Sequence, residues 1–323
     1  MRVVFLGTPE FAVPSLLALL KSAYEVCAVF TQPDRPTGRG QRLQPPPVKV
    51  CAQNAGIPVF QPERIRSDEN RPLFDAFKPD FIVVVAYGQI LPAWLLKSAR
   101  VAPVNVHGSL LPRYRGAAPV VWAILNGESI TGVTTMWMDE HLDTGGILLT
   151  QQVSVDDATT AGELASELAR VGAELLVPTL DGLRSGSILP APQDDRLASY
   201  APMISKEMAR ISWVQKARDI HNRIRAFNPW PVAYTEFQGQ RLMMHRSLPE
   251  KTSDATEHAP GTYLGCSGDG LRIQCGEGTV LQLLDLQVGG RRRVSGREFA
   301  NGARLRIHVQ LFPSDHSERG TAN

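Results

Sequence analysis

The chain has 323 residues, which exceeds the usual size of a single domain and predicts two domains. Hydrophobic residues make up 43% of it and charged residues 20%, a composition typical of soluble globular proteins. No apolar run approaches the ~20 residues that a membrane helix needs, and the N-terminal run is too short for a signal peptide. We therefore expect a cytoplasmic protein without a membrane partner.

The net charge of +2 is unevenly distributed along the chain. Residues 1–205 carry 17 Lys/Arg against 20 Asp/Glu, whereas residues 206–313 carry 16 against 10. A basic C-terminal part beside a slightly acidic N-terminal part indicates a polyanion partner, although solvated surface charge explains it equally well.

The four cysteines and seven histidines show neither metal-ligand spacing nor the pattern of a disulfide framework. We expect reduced thiols and no structural or catalytic metal.

The first half of the chain alternates apolar runs of strand length with segments of helical pattern. The strand-like runs are RVVFLG, EVCAVF, DFIVVVAYG, VAPVNVHG and TGVTTMWMDE, and the helical segments are PSLLALLKS, VKVCAQNAG and GAAPVVWAILNG. This alternation predicts an α/β fold: an N-terminal, Rossmann-like, mostly parallel sheet with crossover helices on both faces. Ligands of such sheets bind beyond the carboxyl ends of the strands.

A helix is predicted from about Thr160, with Pro178 expected to kink or split it. The Pro- and Asp-rich stretch that follows has the composition of a stiff polar linker. We therefore predict an N-terminal domain over residues 1–189 and a linker over residues 190–205.

Beyond the linker the pattern changes to one amphipathic helix, VQKARDIHNRIRAF, followed by short β-like runs separated by glycine. These runs predict a smaller C-terminal β-barrel, OB-like, over residues 206–313. Ser295 and Glu298 fit a capping box for a short helix ending at Gly302. Residues 314–323 are predicted to form a disordered tail.

Several common catalytic motifs are missing from the sequence. The first strand is followed by FLGTPEF rather than by G-x-G-x-x-G, which argues against a dinucleotide-binding domain. There is also no P-loop and no G-x-S-x-G element.

Asn105 and His107 stand two residues apart at the end of a predicted strand, so their side chains share one face. Asp143 lies in a Gly-rich turn after the next predicted strand, and parallel neighbours would bring that turn to the same sheet edge. An amide, an imidazole and a carboxylate supply the donors and proton carriers for acyl transfer through a tetrahedral intermediate. A structural Asn–His pair with a turn-forming Asp is the alternative. Ser109 has no base at motif spacing and is interpreted as a loop hydrogen-bonder.

The segments NVHGSLLPRYRGAAP and MDEHLDTGG resemble the signature of the folate-dependent formyltransferases. Further similarity covers nearly the whole chain, through VVFLGTPEFAVPSL, TQPDRPTGRGQRLQPPPVK, VVVAYGQILP and IRAFNPWP. Among that family, the chain is most similar to the members that formylate initiator methionyl-tRNA for translation initiation. The resemblance implies 10-formyltetrahydrofolate as the donor, the methionine α-amino group as the acceptor, catalysis in the N-terminal domain and tRNA binding in the C-terminal domain.

The resemblance also implies roles for individual residues. The family's catalytic Asn, His and Asp fall on Asn105, His107 and Asp143. Its folate-binding positions fall on Ser109, Leu110, Leu111, Pro112, Tyr87, Gly88, Ile90 and Leu91. Its tRNA-binding loop falls on DRPTGRGQR, with Arg39 as the key arginine and with Arg35 and Arg42 beside it. A solvated turn is the alternative for this loop.

Three positions in these motifs are less well explained. Arg113 and Arg115 belong to the motif but receive no role from the sequence. His141 stands where family members more often have glycine or another small or acidic residue, which predicts a backbone less free to adopt a positive φ.

Two other functions remain open at this point: formyl transfer to a small amine, and non-catalytic RNA binding on the same scaffold. The C-terminal domain argues against the first and the Asn/His/Asp set against the second. We expect a monomer.

Overall fold

The structure is a computed structural model and describes residues 1–37, 42–250 and 258–312. The predicted tail, residues 314–323, lies outside the described residues. The chain divides into two compact units. The first comprises Met1–Pro119, Ser129–Val155 and Glu163–Pro202; the second begins at Met203 and also includes Val120–Glu128 and Asp156–Gly162.

A seven-stranded sheet organises the first unit. The strands of this half of the chain are β1 (Arg2–Gly7), β2 (Glu25–Phe30), β3 (Arg35–Thr37), β4 (Arg42–Gln44), β5 (Val59–Phe60), β6 (Phe81–Val85), β7 (Ala102–His107), β8 (Ile130–Trp137) and β9 (Ile147–Ser154). The order across the sheet is β5-β2-β1-β6-β7-β8-β9, and β3 and β4 form a separate antiparallel hairpin. β3, β4, β5 and β9 had not been predicted.

The five neighbouring strands β5, β2, β1, β6 and β7 are parallel to one another, so the predicted mostly parallel α/β sheet is confirmed. β8 is antiparallel to both β7 and β9, and its predicted parallel placement is wrong. A parallel connection needs a crossover packed on the sheet. The helix between β7 and β8, Pro119–Leu125, instead lies mostly in a segment grouped with the second unit.

The helices up to residue 185 are α1 (Val13–Leu20), α2 (Pro47–Asn54), α3 (Arg71–Phe77), α4 (Ala93–Leu96), α5 (Pro119–Leu125) and α6 (Ala161–Ser185). Pro178 does not split α6, which continues for 25 residues. A split at Pro178, one of the two outcomes expected there, is therefore wrong, because apolar residues on both sides of the proline, such as Leu168 and Leu180, are fully buried.

The second unit contains an antiparallel sheet, as predicted. Its elements are α7 (Ala217–Ala226), β10 (Tyr234–Phe237), β11 (Gln240–Pro249), β12 (Tyr263–Ser267), β13 (Gly270–Gln274), β14 (Val280–Val288), β15 (Val294–Ser295) and α8 (Gly296–Gly302). The order is β10-β11-β14-β13-β12, with β15 added to β14. The capping box of Ser295 and Glu298 is confirmed at the start of α8.

α7 buries two basic side chains inside the second unit. His221 is 3% exposed; its Nε2 lies 2.7 Å from the Asp157 carbonyl oxygen and its Nδ1 2.9 Å from the Ser247 hydroxyl. Arg225 donates to the Asp156 carbonyl oxygen. Burial lowers the pKa of His221 below its ordinary value. α7 therefore satisfies the backbone carbonyls of the turn before α6.

Across residues 1–37, 42–250 and 258–312, no helix combines the length and hydropathy required to cross a bilayer.

Candidate active site

β7 presents two polar side chains on one face near its carboxyl end. Asn105 and His107 are 8% and 6% exposed. The opposite face carries Val106, on which α6 packs so closely that a Cβ at Gly172 would lie 2.8 Å from Val106 Cγ1. Because alternate residues of a strand point to opposite faces, this packing leaves Asn105 and His107 together on the face away from α6.

Asn105 has an amide that is free to bind a ligand. In the sheet it lies between Val84 of β6 and Met136 of β8. Its carboxamide has no hydrogen-bond partner among the residues that the structure describes. Although the residue is only 8% exposed, its carboxamide atoms are reached by solvent, so they can form hydrogen bonds with a ligand.

The hydrogen bond of His107 to Tyr114 shows which ring nitrogen carries a proton. Nε2 lies 2.9 Å from the carbonyl oxygen of Tyr114, which can only accept, so Nε2 carries a proton. Nδ1 lies 3.7 Å from Asp143 Oδ2. That distance is too long for a hydrogen bond but close enough for an ion pair. Nε2 is therefore engaged by the backbone, and Nδ1 is the nitrogen that faces the carboxylate.

Asp143 reaches His107 by a route different from the predicted one. β8 is antiparallel to β7, and its last residue, Trp137, lies opposite Val104 rather than beside His107. The turn with Asp143 therefore does not follow from strands that end at one edge. The loop 138–146 between β8 and β9 brings the carboxylate back along the sheet to His107.

The backbone of this loop holds Asp143 in an unusual conformation. Asp143 has φ = 53°, a left-handed conformation, whereas His141 does not have a positive φ. The expected restriction at His141 therefore has no consequence for the turn, because no positive φ is needed at that residue. Asp143 Oδ2 accepts a hydrogen bond from the Gly116 backbone N–H at 2.8 Å. Within the described chain Oδ1 of the same carboxylate makes no hydrogen bond, so this oxygen is available to a ligand.

A buried threonine shapes the turn after β7. Thr134 of β8 is fully buried; its hydroxyl donates to the Ser109 carbonyl oxygen at 2.7 Å and accepts from the Leu111 N–H at 3.1 Å. The Ser109 hydroxyl donates to the Arg113 carbonyl oxygen at 2.6 Å. The Ser109 side chain is therefore engaged within the turn, which agrees with its interpretation as a loop hydrogen-bonder. Nothing in the sequence had identified Thr134.

Leu110 and Pro112 are partly buried and Leu111 is buried, so the turn has a mostly apolar surface. The other predicted folate segment follows β6, the parallel neighbour of β7. There Tyr87 is 1% exposed, and its carbonyl oxygen accepts from the Thr8 hydroxyl at 2.9 Å. Burial raises the pKa of the Tyr87 hydroxyl.

After Tyr87 the chain becomes accessible. Gly88 has φ = 88°, a conformation that glycine adopts without strain, and Ile90 is 82% exposed while Leu91 is buried. The peptide groups of residues 88–91 make no hydrogen bond within the described parts of the chain. They are free to bind the edge of a ligand.

Arg115, which had no predicted role, is 2% exposed and lies behind the site. Its guanidinium donates to Gln193 Oε1 and to Asp195. Gln193 Nε2 in turn donates to the carbonyl oxygens of Asp143 and Gly145, at 2.8 and 2.7 Å. Gln193 lies in the segment whose composition is that of a linker, which is why sequence reasoning missed it.

The rest of that segment also contacts the turn after β7. Arg115 donates its N–H to the Ser199 carbonyl oxygen, and Ala201 donates to the Arg115 carbonyl oxygen. Arg113 is exposed and lies over the Tyr114 ring, with its Cζ 5.2 Å from the ring centroid.

The predicted tRNA loop is only partly described. Arg39 lies outside the described residues. Arg42 pairs with Thr37 in the β3–β4 hairpin. The Arg35 side chain is 64% exposed and lies 3.6 Å from the Glu63 carboxylate.

Within the residues described, no group of three or more His, Cys, Asp or Glu side chains could hold a metal ion. The four cysteines are free thiols.

Comparison with known proteins identifies the family of this chain. Residues 1–180 match the family described as Formyl transferase, and residues 203–304 match Formyl transferase, C-terminal domain. A methionyl-tRNA formyltransferase of Geobacter metallireducens is 46% identical over 312 residues, which cover 96% of this chain and 98% of the relative. One from Synechococcus sp. is 48% identical over 319 residues, with 96% and 98% covered.

Solved structures show a similar fold. WlaRD, a sugar 3N-formyl transferase crystallised with dTDP and 5-N-formyl-THF, has a TM-score of 0.64 at 19% identity, covering 90% of this chain and 99% of its own. HypX from Aquifex aeolicus in complex with tetrahydrofolic acid has a TM-score of 0.60 at 17% identity, covering 95% and 48%. At these identities the similarity extends to the fold alone. The two family matches and the relatives of nearly equal length establish that the chain belongs to the formyl transferase family.

Proposed function

We propose that this chain transfers the formyl group of 10-formyltetrahydrofolate to the α-amino group of initiator methionyl-tRNA. The observation that carries the proposal is the convergence of the free Asn105 carboxamide, His107 Nδ1 and the Asp143 carboxylate at the end of β7. The proposal is supported by relatives named methionyl-tRNA formyltransferase that are 46% and 48% identical over nearly the whole chain.

The segment after β6 fits a flat heterocycle such as a pterin. The free peptide groups of residues 88–91 offer donors and acceptors to the ring edge, and Leu91 and Leu111 offer apolar surface. We assign the same role to the rest of the turn, Leu110 and Pro112, and to Ile90. When bound, the folate supplies a formyl group on a nitrogen, which is the acyl group to be transferred.

Asn105 and His107 stabilise negative charge on the formyl oxygen. The Asn105 Nδ2 amide and a protonated Nδ1 of His107 are the two donors on this face of β7. His107 Nε2 remains bonded to the Tyr114 carbonyl oxygen, which fixes the plane of the ring. The donors are therefore positioned before charge develops, and little reorganisation is needed.

Asp143 moves the proton. Its Oδ2 is bonded to Gly116 and faces His107, so Oδ1 is the oxygen that accepts a proton from the attacking amine. An α-amino group has a pKa of about 8, so a useful fraction is unprotonated at neutral pH. The proton then passes to the nitrogen that loses the formyl group.

The acceptor side is assigned from charge and resemblance. Arg39, with Arg35 and Arg42 beside it in the sequence, contacts the acceptor end of the tRNA, and the basic region 206–313 contacts phosphates. Such contacts release counterions and weaken as salt rises.

The direct test is a formylation assay with purified protein, 10-formyltetrahydrofolate and initiator methionyl-tRNA. We expect formyl-methionyl-tRNA to form. Matched reactions with an amino-sugar nucleotide, or with tRNA that lacks methionine, should give no product. Formylation of the sugar alone would replace the proposed acceptor, and no product with any acceptor would contradict the proposal.

The acceptor contacts have their own test. Arg39→Ala should raise KM for methionyl-tRNA while the folate KM stays the same, and the wild-type KM for tRNA should rise steeply between about 50 and 200 mM salt. An unchanged kcat/KM for Arg39→Ala, or a flat salt dependence, would contradict these assignments.

A further inference from the structure

We infer that Gln193 is a positioning residue for Asp143, and that Arg115 fixes Gln193 in turn. The inference rests on the proposed role of Asp143 in proton transfer. Gln193 does not touch the face of β7 where Asn105 and His107 lie; it acts on the backbone of the loop that carries the carboxylate.

All the contacts of the Gln193 amide have a defined direction. Oε1 accepts from Arg115 Nε at 3.1 Å and from Nη2 at 2.8 Å. Because guanidinium only donates, the oxygen of the amide must face Arg115 and its NH₂ must face the loop. The NH₂ then donates to the carbonyl oxygens of Asp143 and Gly145. Arg115, which is 2% exposed, thereby sets the orientation of the amide.

The Gln193 hydrogen bonds stabilise the loop 138–146 at Asp143, where the backbone is unusual. Its left-handed φ of 53° costs more for a residue with a side chain than for glycine, even though aspartate tolerates it better than most residues, so contacts that hold the loop favour it. The Gln193 bonds hold the carbonyl groups of Asp143 and of Gly145, two residues later. The Gly116 N–H holds the carboxylate itself. With backbone and side chain both fixed, Oδ2 stays 3.7 Å from His107 Nδ1 and Oδ1 stays available.

Gln193→Glu keeps the contact with Arg115 but removes the two hydrogen bonds to the loop. A glutamate has the same size and still accepts from Arg115, but it places a carboxylate oxygen against two carbonyl oxygens, which repels the loop. We expect kcat at saturating substrates to fall about 10²-fold, since displacement of a reacting group by about 1 Å costs that much. KM for folate and for methionyl-tRNA should change by less than about threefold, because binding surfaces are untouched.

Two further variants separate positioning from a general loss of stability. Asp195→Asn alters the other partner of Arg115, an exposed carboxylate that does not touch the loop, and should keep wild-type kcat. Gln193→Met removes all polar contacts without adding charge, and should lower kcat with the same unchanged KM values. Thermal unfolding and circular dichroism of each variant monitor folding.

The decisive readout is a double-mutant cycle in the background of Asp143→Asn. If Gln193 acts through Asp143, adding Gln193→Glu to Asp143→Asn should lower kcat by no more than about twofold further. An additive loss, or wild-type kcat in both Gln193 variants, would overturn the inference. If Asp143→Asn itself kept wild-type kcat, the proposed role of Asp143 would fail instead, so the two failures are distinguishable.

Discussion

Two buried histidines, one in each compact unit, have half of their environment in common. His107 Nε2 bonds to the carbonyl oxygen of Tyr114, and His221 Nε2 bonds to that of Asp157. In both cases the carbonyl can only accept, so both rings carry the proton on Nε2. They differ at Nδ1: that of His221 accepts from the Ser247 hydroxyl, whereas that of His107 faces the Asp143 carboxylate across 3.7 Å.

With His107 in the catalytic role proposed above, the difference implies that burial does not distinguish a catalytic histidine from a structural one. Both ring nitrogens of His221 form hydrogen bonds with uncharged partners, and burial lowers the pKa of the ring, so the neutral form is favoured. His107 has one nitrogen fixed by a hydrogen bond and a second that lies 3.7 Å from a carboxylate, with the Asn105 amide on the same face of the strand. The second nitrogen, not the depth of the ring, decides the role.

The largest effect should come from the same substitution at the two histidines. His107→Gln keeps a donor for Tyr114 but loses the ionisable Nδ1, and we expect the single-turnover formylation rate to fall about 10²–10³-fold. His221→Gln keeps a donor for Asp157 and should leave this rate within about twofold of wild type. Rapid-quench assays at saturating folate and tRNA measure both. Equal losses in the two variants would remove the distinction between the sites.

A smaller effect is expected from two buried threonines. Thr134→Val deletes both hydrogen bonds that hold the turn at Ser109 and Leu111, which costs about 1–3 kcal/mol locally and should raise the folate Kd up to about 100-fold. Thr235→Val, the matched change in the second unit, deletes a bond from the Trp213 indole.

Thr235→Val should reduce thermal stability but leave the folate Kd unchanged. Isothermal titration with a folate analogue measures the affinity of both variants. A folate Kd that is unchanged in Thr134→Val, or one that rises equally in Thr235→Val, would argue against a folate-binding role for the turn.

The smallest effect concerns pH. Burial lowers the pKa of His221 and of His245 below the ordinary value of 6.5. Above about pH 6.5 these rings are neutral in both the folded and the unfolded chain. Below that pH the unfolded chain binds protons at these histidines more readily than the folded chain, because the pKa values are lower in the folded state. The free energy of unfolding should therefore decrease as pH falls below about 6.5. The double variant His221→Gln, His245→Gln should show a weaker decrease in thermal unfolding scans between about pH 5 and pH 8; an identical slope would contradict this assignment.

The sequence predicted most of the strands and helices because continuous apolar runs and glycine stops are local signals. It could not predict the direction of β8, since TGVTTMWMDE has the same pattern in a parallel or an antiparallel strand. Asp143 was expected near His107 for a reason that proved wrong, and it arrives there through the loop before β9. The apolar residues around Pro178 kept α6 in one piece against the local preference of proline.

The positions that support the site were less visible. Asn105 and His107 share a face by strand periodicity alone, which any sequence with this spacing would predict. Thr134 and Gln193 form hydrogen bonds to backbone atoms that are distant in sequence. The residues next to them in the sequence contain no pattern that predicts such bonds. Gln193 also lies among prolines and aspartates, where composition indicates a linker rather than a support for Asp143.

The active site on this face of β7 is tested most directly by the single-turnover rate of Asn105→Ala with saturating 10-formyltetrahydrofolate and initiator methionyl-tRNA, together with the folate Kd of the variant. If Asn105 and His107 stabilise the charge on the formyl oxygen, the rate should fall about 10²–10³-fold while the folate Kd changes by less than about threefold. A rate close to that of wild type would contradict the assignment of this face of β7 as the active site.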